Sequence, residues 1–237
     1  MMRIGISESD YPEVRRLQLF SPMEEAHFAS LMRGAYVQNF PPQIELITEG
    51  EPSDFLHVVL SGSVDLFSTW NDRETSMAIA RPVSTFILAA TMRDAPYLMS
   101  ARTLEKSRIA LIPSQDVRAI FDTDREFARA IVAELSLCFR SVVKSQKDLK
   151  LRTSIERLAN YLLQLQIRAG ENATFDLEFE KRRLASYLGM TPENLSRAFK
   201  GLQPYGVFVE GNRVQITAQQ DFERFAKPAA LIDDPSS

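Results

Sequence analysis

One cysteine, Cys138, stands in 237 residues, so no intrachain disulfide can form and a disulfide framework of the secreted kind is excluded. Long apolar runs are missing too. Stretches such as FILAA at 86–90 fall far short of the roughly 20 residues a bilayer-spanning helix needs. The first residues, MMRIGISESDYPEVRR, hold no apolar signal core. These absences predict a cytoplasmic chain, neither exported nor inserted in a membrane. A large excess of charge is absent as well: the net charge is −3, so any attraction to nucleic acid must be local. There is no low-complexity tract and no repeat at solenoid spacing. Nor is there a phosphate-binding glycine loop, a metal-ligand cluster, or a nucleophile with a recognisable base, which argues against an enzyme and against a metal site. The two histidines, His27 and His57, lie in no haem-attachment or metal spacing and read as structural.

What is present is an ordinary globular composition, 45% hydrophobic and 25% charged, in a chain long enough for one large core or two modest ones. Residues 12–33 read as short helices, with a start signal at Ser21-Pro22 and Glu24 and with Phe28, Leu31 and Met32 at helical spacing. From residue 40 to 113 the pattern becomes short alternating runs punctuated by Gly50-Glu51-Pro52 and Ser61-Gly62, as in antiparallel strands and turns. A short helix near SQDVRAIF follows, and then a long one from Asp124 to Lys150. On it Phe127, Ile131, Leu135, Cys138, Val142, Ser145 and Leu149 recur at the three-and-four spacing of a coiled-coil seam. That stripe predicts a partner helix, the alternative being that it packs on the protein's own β-rich part. Cys138 reads there as a small apolar residue. The fold class expected is α+β: a β-roll or jelly roll with short helices over 1–123, a dimerisation helix over 124–150, and a helical domain over 151–237.

The last of these carries the most specific signal. In KRRLASYLGMTPENLSRAFKGL, residues 181–202, Leu184, Ala185 and Leu188 make the inner face of one helix and Gly189 supplies a tight turn. Thr191 is a helix cap, Pro192 suits the first helical position, and Glu193 suits the positive end of the dipole. Leu195, Phe199 and Leu202 then share one face of a second helix, and Glu193, Ser196, Arg197 and Lys200 share the other. GVFVEGNRVQIT adds a hairpin with a glycine turn, which makes the unit a winged helix-turn-helix. Residues 181–213 hold six basic side chains and two acidic ones, a local +4 in a chain of net −3. The expected partner is double-stranded DNA. Glu193, Ser196 and Arg197 are placed to read base edges, arginine as a bidentate donor to guanine and glutamate as an acceptor from cytosine. Arg182, Arg183, Thr191, Lys200 and Arg213 are placed for phosphates.

The order of barrel, long helix and winged helix-turn-helix resembles the CRP/FNR family of bacterial transcription regulators over nearly the whole chain. The pieces that carry the likeness are GEPSDFLHVVLSGSV (50–64), the seam helix, and YLGMTPENLSRAFKGL. The resemblance implies a cyclic-nucleotide-binding-type β-roll, a homodimer joined along the long helix, twofold-symmetric operators and contact with RNA polymerase. Glu193, Ser196 and Arg197 look like the FNR branch, in which the residue before the glutamate is not arginine; here it is Pro192. Half-sites similar to TTGA follow from that likeness.

The sensor departs from the family pattern. Members that bind cyclic AMP carry a glutamate for the ribose and an arginine for the cyclic phosphate; an ungapped alignment puts Leu88, Ala89 and Ala90, and then Met99, Ser100 and Ala101, in those segments. Burying a phosphate without a guanidinium partner is costly, so cyclic AMP is not the expected effector, although a cyclic nucleotide held by backbone groups and Ser100 is the alternative. An iron–sulfur cluster is not expected, since no cysteine precedes Cys138. FILAATM and YLMSA are similar to the branch that regulates nitrogen-oxide respiration, which implies nitric oxide, sensed through haem, as a further alternative. Leu88, Ala89, Ala90, Met99 and Ser100 are the effector-pocket candidates. A ligand-binding module acting through protein contacts is the reading from outside the regulator class.

Overall fold

The computed structural model describes residues 4–5 and 11–234, which fall into two compact units divided between Cys138 and Phe139. The expected outer domains also include residues 1–3, 6–10 and 235–237, which lie outside the described residues. The unit boundary falls inside the long helix, not at either of its ends.

The first unit opens with β1 (Ile4–Gly5), α1 (Tyr11–Arg15) and α2 (Glu25–Gly34). Strands β2 (Tyr36–Phe40), β3 (Glu45–Ile47), β4 (Phe55–Ser61), β5 (Val64–Trp70), β6 (Arg73–Ala80) and β7 (Ser84–Phe86) follow. After α3 (Leu88–Arg93), β8 (Ser100–Thr103) and β9 (Ser107–Pro113) complete two antiparallel sheets, ordered β1-β2-β9-β4-β7 and β3-β8-β5-β6. This is the jelly-roll-like β-roll that the alternating runs predict.

The run FLHVVL in β4 is apolar because both faces of that strand are covered. Leu56, Val58 and Leu60 face a helical core that includes Phe20, Phe28, Leu31 and Met32, while Val59 faces the roll interior with Val64, Leu66, Phe86 and Ala101. Gly62, at φ +83°, turns β4 into β5. A Cβ there would stand 2.7 Å from the Lys106 carbonyl oxygen, so both the dihedral and the space call for glycine.

Helix α4 (Ser114–Phe121) leads into α5 (Arg125–Leu151). Asp124, 1% exposed, caps α5 through Oδ1 to the Phe127 N–H (2.9 Å), and its Oδ2 takes the Glu24 N–H (2.9 Å) and meets His27 Nδ1 (3.0 Å). One carboxylate thus ties the start of α5 to the start of α2.

The expected seam needs correction along its first half. Phe127 and Ile131 are fully buried in the helical core of their own unit, with Leu135 packed against it; Phe127 stacks on Phe20 with ring centres 6.0 Å apart. They are therefore intramolecular core residues. Val132, Leu137, Phe139 (69% exposed), Val142, Val143, Leu149 and Leu151 are the large apolar residues that the helix leaves uncovered. Cys138 is exposed as well, and partial desolvation and then the Glu134 carboxylate push its thiol pKa up, which favours the unreactive protonated form.

The second unit contains α6 (Ser154–Arg168), β10 (Thr174–Asp176), α7 (Lys181–Tyr187), α8 (Pro192–Leu202), one turn of 3-10 helix, β11 (Val207–Glu210), β12 (Arg213–Ile216), α9 (Gln219–Ala226) and α10 (Ala230–Asp233). Thr153 starts α6, its N–H donating to the Glu156 carboxylate at 2.8 Å. Strands β10, β12 and β11 form the three-stranded wing sheet. Among the described residues no helix is long and apolar enough to cross a membrane.

Candidate nucleic-acid interface and sensor

Helix α7 ends as a helix-turn-helix must. Met190 N–H reaches back to Ala185 O (2.9 Å) and Gly189 N–H to Ser186 O (2.9 Å), with Gly189 at φ +62°. This pair of bonds around a left-handed glycine closes the helix and reverses the chain. A Cβ on Gly189 would stand 2.9 Å from Leu149 Cδ1 at the end of α5, so the space is taken too. Thr191 then caps α8, its Oγ1 accepting from Asn194 N–H at 3.3 Å, with Pro192 in the first turn. Leu195, Ala198 and Leu202 are buried, and Phe199 is half-buried with the Lys181 ammonium 5.9 Å from its ring centre. Gly201 faces Ile155, and a Cβ there would lie 2.6 Å from Ile155 Cδ1, so α8 and α6 approach backbone to side chain.

The opposite face of α8 is open. Glu193, Ser196, Arg197 and Lys200 are all exposed. The Glu193 carboxyl is held below its ordinary pKa, first by its own backbone N–H and the Thr191 side chain and then by Arg197 one turn on, so it is an anion at neutral pH. Ser196 Oγ donates to Pro192 O at 3.0 Å, which leaves its lone pairs for a neighbour. Arg182 and Arg213 are exposed, while Arg183 is half-buried with a partner of its own. The wing tip is fixed by Asn212, whose Nδ2 donates to Leu177 O (2.6 Å) and whose carbonyl oxygen accepts from Leu177 N–H (2.8 Å).

In the β-roll the residue before α3, Ile87, adopts φ +65°. A β-branched side chain in the left-handed region is strained, and such strain concentrates where ligands or switches are held. His57, 3% exposed, lies against Phe86 with ring centres 5.0 Å apart, and burial lowers its pKa to about 4. Arg102 is the arginine nearest in sequence to Met99. It follows the interior residue Ala101 on β8 and so faces outward, where it binds Glu74 (2.7 Å) and Asp65 (3.4 Å) over the Phe67 ring (4.3 Å).

Residues 37–124 match the family model for a cyclic nucleotide-binding domain, and residues 156–225 match that for a Crp-like helix-turn-helix domain. The chain is 27% identical over 222 residues to a "CRP-like cAMP-activated global transcriptional regulator" of Mycobacterium tuberculosis, covering 90% of this chain and 97% of the relative. It is 26% identical over 176 residues to the "Transcriptional activator protein anr" of Pseudomonas aeruginosa, 72% of each. A solved structure, a putative cAMP-binding regulatory protein from Silicibacter pomeroyi, superposes with TM-score 0.59 at 27% identity, over 94% of this chain and all of the other. The chain belongs to the CRP/FNR family of transcription regulators.

As a CRP/FNR regulator it carries a Crp-like helix-turn-helix after a cyclic nucleotide-binding domain. The five pocket candidates do not converge. Ala90 and Met99 pack against the roll interior, but Leu88 belongs to the helical core on the other side of β4, and Ala89 is exposed. Ser100 Oγ already accepts the Glu49 N–H at 3.0 Å. Residues the sequence did not single out hold the reading head in place: Arg157 on α6 hydrogen-bonds Leu188 O (2.9 Å) and Gly189 O (3.3 Å). Gly201 carried a signal, since glycine inside a helix is costly unless a close approach needs it. Arg157 carried none, because its partners lie 31 and 32 residues away.

Proposed function

We propose that this CRP/FNR regulator acts as a homodimer on palindromic DNA with TTGA-like half-sites, read by Glu193, Ser196 and Arg197. What carries the reading is the two-faced α8: Leu195, Ala198 and Leu202 anchor it, and the three polar residues are exposed on the other side. Lys200, Arg182 and Arg213 set the register on phosphates. The effector is a molecule other than cyclic AMP, bound in the roll beside the strained Ile87. Met99 offers no charge to a phosphate, and Arg102 faces away from the interior with its two carboxylate partners. Cyclic nucleotide control is the second reading, favoured by the cAMP-activated relative.

The histidines do not fit a haem. His27 is tied to Asp124, and His57 lies flat against Phe86. Coupling needs an effector that binds two states of the protein unequally, one of which holds the paired α8 helices in register with the operator.

The test is a DNA titration on a TTGA palindrome at fixed salt, with and without cyclic AMP. Arg197→Ala is expected to lose about 1–3 kcal/mol on the cognate site. Lys200→Ala is expected to weaken all sequences alike and to flatten the salt dependence. Equal binding by wild type and Arg197→Ala would overturn the assignment.

A further inference from the structure

Residues 228–234 run from the end of α9 past α6 to the last turns of α5, all within the second unit. The segment adds little to any apolar core: Pro228, Ala229, Ala230 and Leu231 are exposed, and α10 has no buried residue. Hydrophobic burial therefore does not explain its position. Polar bonds do. On α5, one turn apart, Lys144 Nζ donates to Asp234 O (2.6 Å) and Lys147 Nζ to Leu231 O (3.3 Å), and on α6 Gln164 Nε2 reaches Asp233 O (3.3 Å).

The strongest of these bonds falls on the junction of the two helices. Arg152 stands between Leu151, the last residue of α5, and Thr153, which starts α6. Its guanidinium makes a two-pronged pair with Asp233 (2.7 and 2.6 Å) and a further bond to Asp148 one turn back (2.9 Å). The Arg152 and Asp233 side chains are only 9% and 12% exposed, and Asp233 also accepts the Ala229 N–H (2.6 Å), which folds the segment on itself. Asp233 first, against the opposing effect of burial, raises the Arg152 pKa above its ordinary value. An ion pair on the open surface contributes little, but one this withdrawn from water leaves an uncompensated charge when a partner is removed. The Arg152 carbonyl is held as well, by Arg157 Nη1 (2.8 Å), and Arg157 Nε binds Leu188 O (2.9 Å) in the turn before α8. One junction residue is thus fixed at its side chain by the segment and at its backbone by the support of the reading helix.

We propose that residues 228–234 form a strap across the α5–α6 junction, latched by Asp233 on Arg152, and that this strap sets the spacing between half-sites that the protein accepts. The spacing role rests on the homodimer and palindrome reading given above. The angle between the end of α5 and α6 carries α8 with it. In a dimer joined along α5 any change of that angle acts twice across the twofold axis, and the two reading helices must meet grooves about one helical turn apart. Asp233 and Arg152 are therefore positioning residues, acting through the angle and not through contact with bases.

The experiment titrates the full chain with TTGA palindromes whose spacers differ by one base pair in either direction, and with a single half-site. Wild type is expected to prefer one spacer. Asp233→Ala should reduce that preference roughly fivefold or more, the lower end of coupling between linked sites, with single half-site affinity unchanged. Lys144→Ala combined with Lys147→Ala frees the strap from α5 without unpairing Arg152, and should act in the same direction even where Asp233→Ala folds poorly. Asp233→Glu, which keeps the charge, should recover part of the preference. An unchanged preference in the double lysine variant would overturn the proposal, as would an equal loss on every DNA including the single half-site, the mark of plain destabilisation. Hydrogen exchange without DNA separates the strap from the functional reading: the Arg152 and Arg157 amides should exchange faster in both variants. Unchanged exchange there overturns the strap, whereas faster exchange in a protein that ignores the palindrome upholds the strap and refutes the TTGA reading together with the spacing role.

Discussion

Arg157 reaches from α6 to the end of α7, its Nε donating to the Leu188 carbonyl oxygen at 2.9 Å while Nη1 holds Arg152 O at 2.8 Å. A single guanidinium therefore joins the α5–α6 junction to the turn that precedes the reading helix. Charged hydrogen bonds to carbonyls contribute about 1.5–3 kcal/mol each in favourable cases. Arg157→Ala is expected to lower stability by about 1–3 kcal/mol and to weaken DNA binding although it touches no DNA-facing residue. Arg157→Lys should not restore either, because an ammonium lacks the planar fork that spans the separate carbonyls. Urea unfolding beside a DNA titration checks this, and unchanged values for both in Arg157→Ala would refute the positioning role.

Gly189→Ala makes a second probe of the same turn. An alanine at φ +62° costs about 1–2 kcal/mol in backbone terms, and its Cβ would also meet Leu149 Cδ1. The substitution should lower stability, and Leu149→Ala should recover part of the loss by clearing the space. A double-mutant cycle measures that recovery. Strict additivity would mean that the contact with α5 contributes nothing.

Sequence pattern revealed this turn because everything it needs is local: Gly189, Thr191 and Pro192 each act within a few residues of themselves. The β-roll was legible for a related reason, since strand alternation and turn residues are short-range signals. The long helix misled at Phe127 and Ile131 because a seven-residue stripe looks the same whether it meets a partner helix or the protein's own core. Only the burial of these two side chains in the core that holds Phe20 tells the two apart. Leu88 failed as a pocket candidate for the same cause: the neighbours of β4 differ on its two faces, and alignment position alone does not say which face α3 feeds. Arg157 was invisible as a support of the turn, since Leu188 and Gly189 lie 31 and 32 residues along the chain.

The corrected helix makes a separable prediction. Phe127→Ala removes a ring from a closed core and should cost about 3–5 kcal/mol of stability. Phe139→Glu, in contrast, alters a side chain that is 69% exposed and should leave the fold in place while breaking the proposed homodimer. Sedimentation and thermal unfolding on both variants distinguish the roles. A Phe139→Glu protein that stays dimeric would place the contact elsewhere.

His57 gives the first unit a pH dependence of known sign. Burial between the roll strands lowers its pKa from 6.5 to about 4, so the folded state resists the proton that the unfolded chain takes up below pH 6.5. Stability contributed this way is complete above 6.5 and is lost as the pH falls toward 4, by about 3 kcal/mol over the whole window. Asp124 acts lower down. Its burial favours the acid form, but the Phe127 and Glu24 N–H groups and His27 outweigh it and hold its pKa down, so its contribution is lost only below the ordinary carboxylate range. His57→Phe should therefore flatten the stability profile between pH 6.5 and 4 and leave the steeper acid loss intact, whereas Asp124→Asn should lower stability at neutral pH. Denaturant unfolding across that range reads both effects. A wild-type profile that is flat from 6.5 to 4 would mean that the imidazole gains a solvent or ligand contact inside the roll that the structure does not contain.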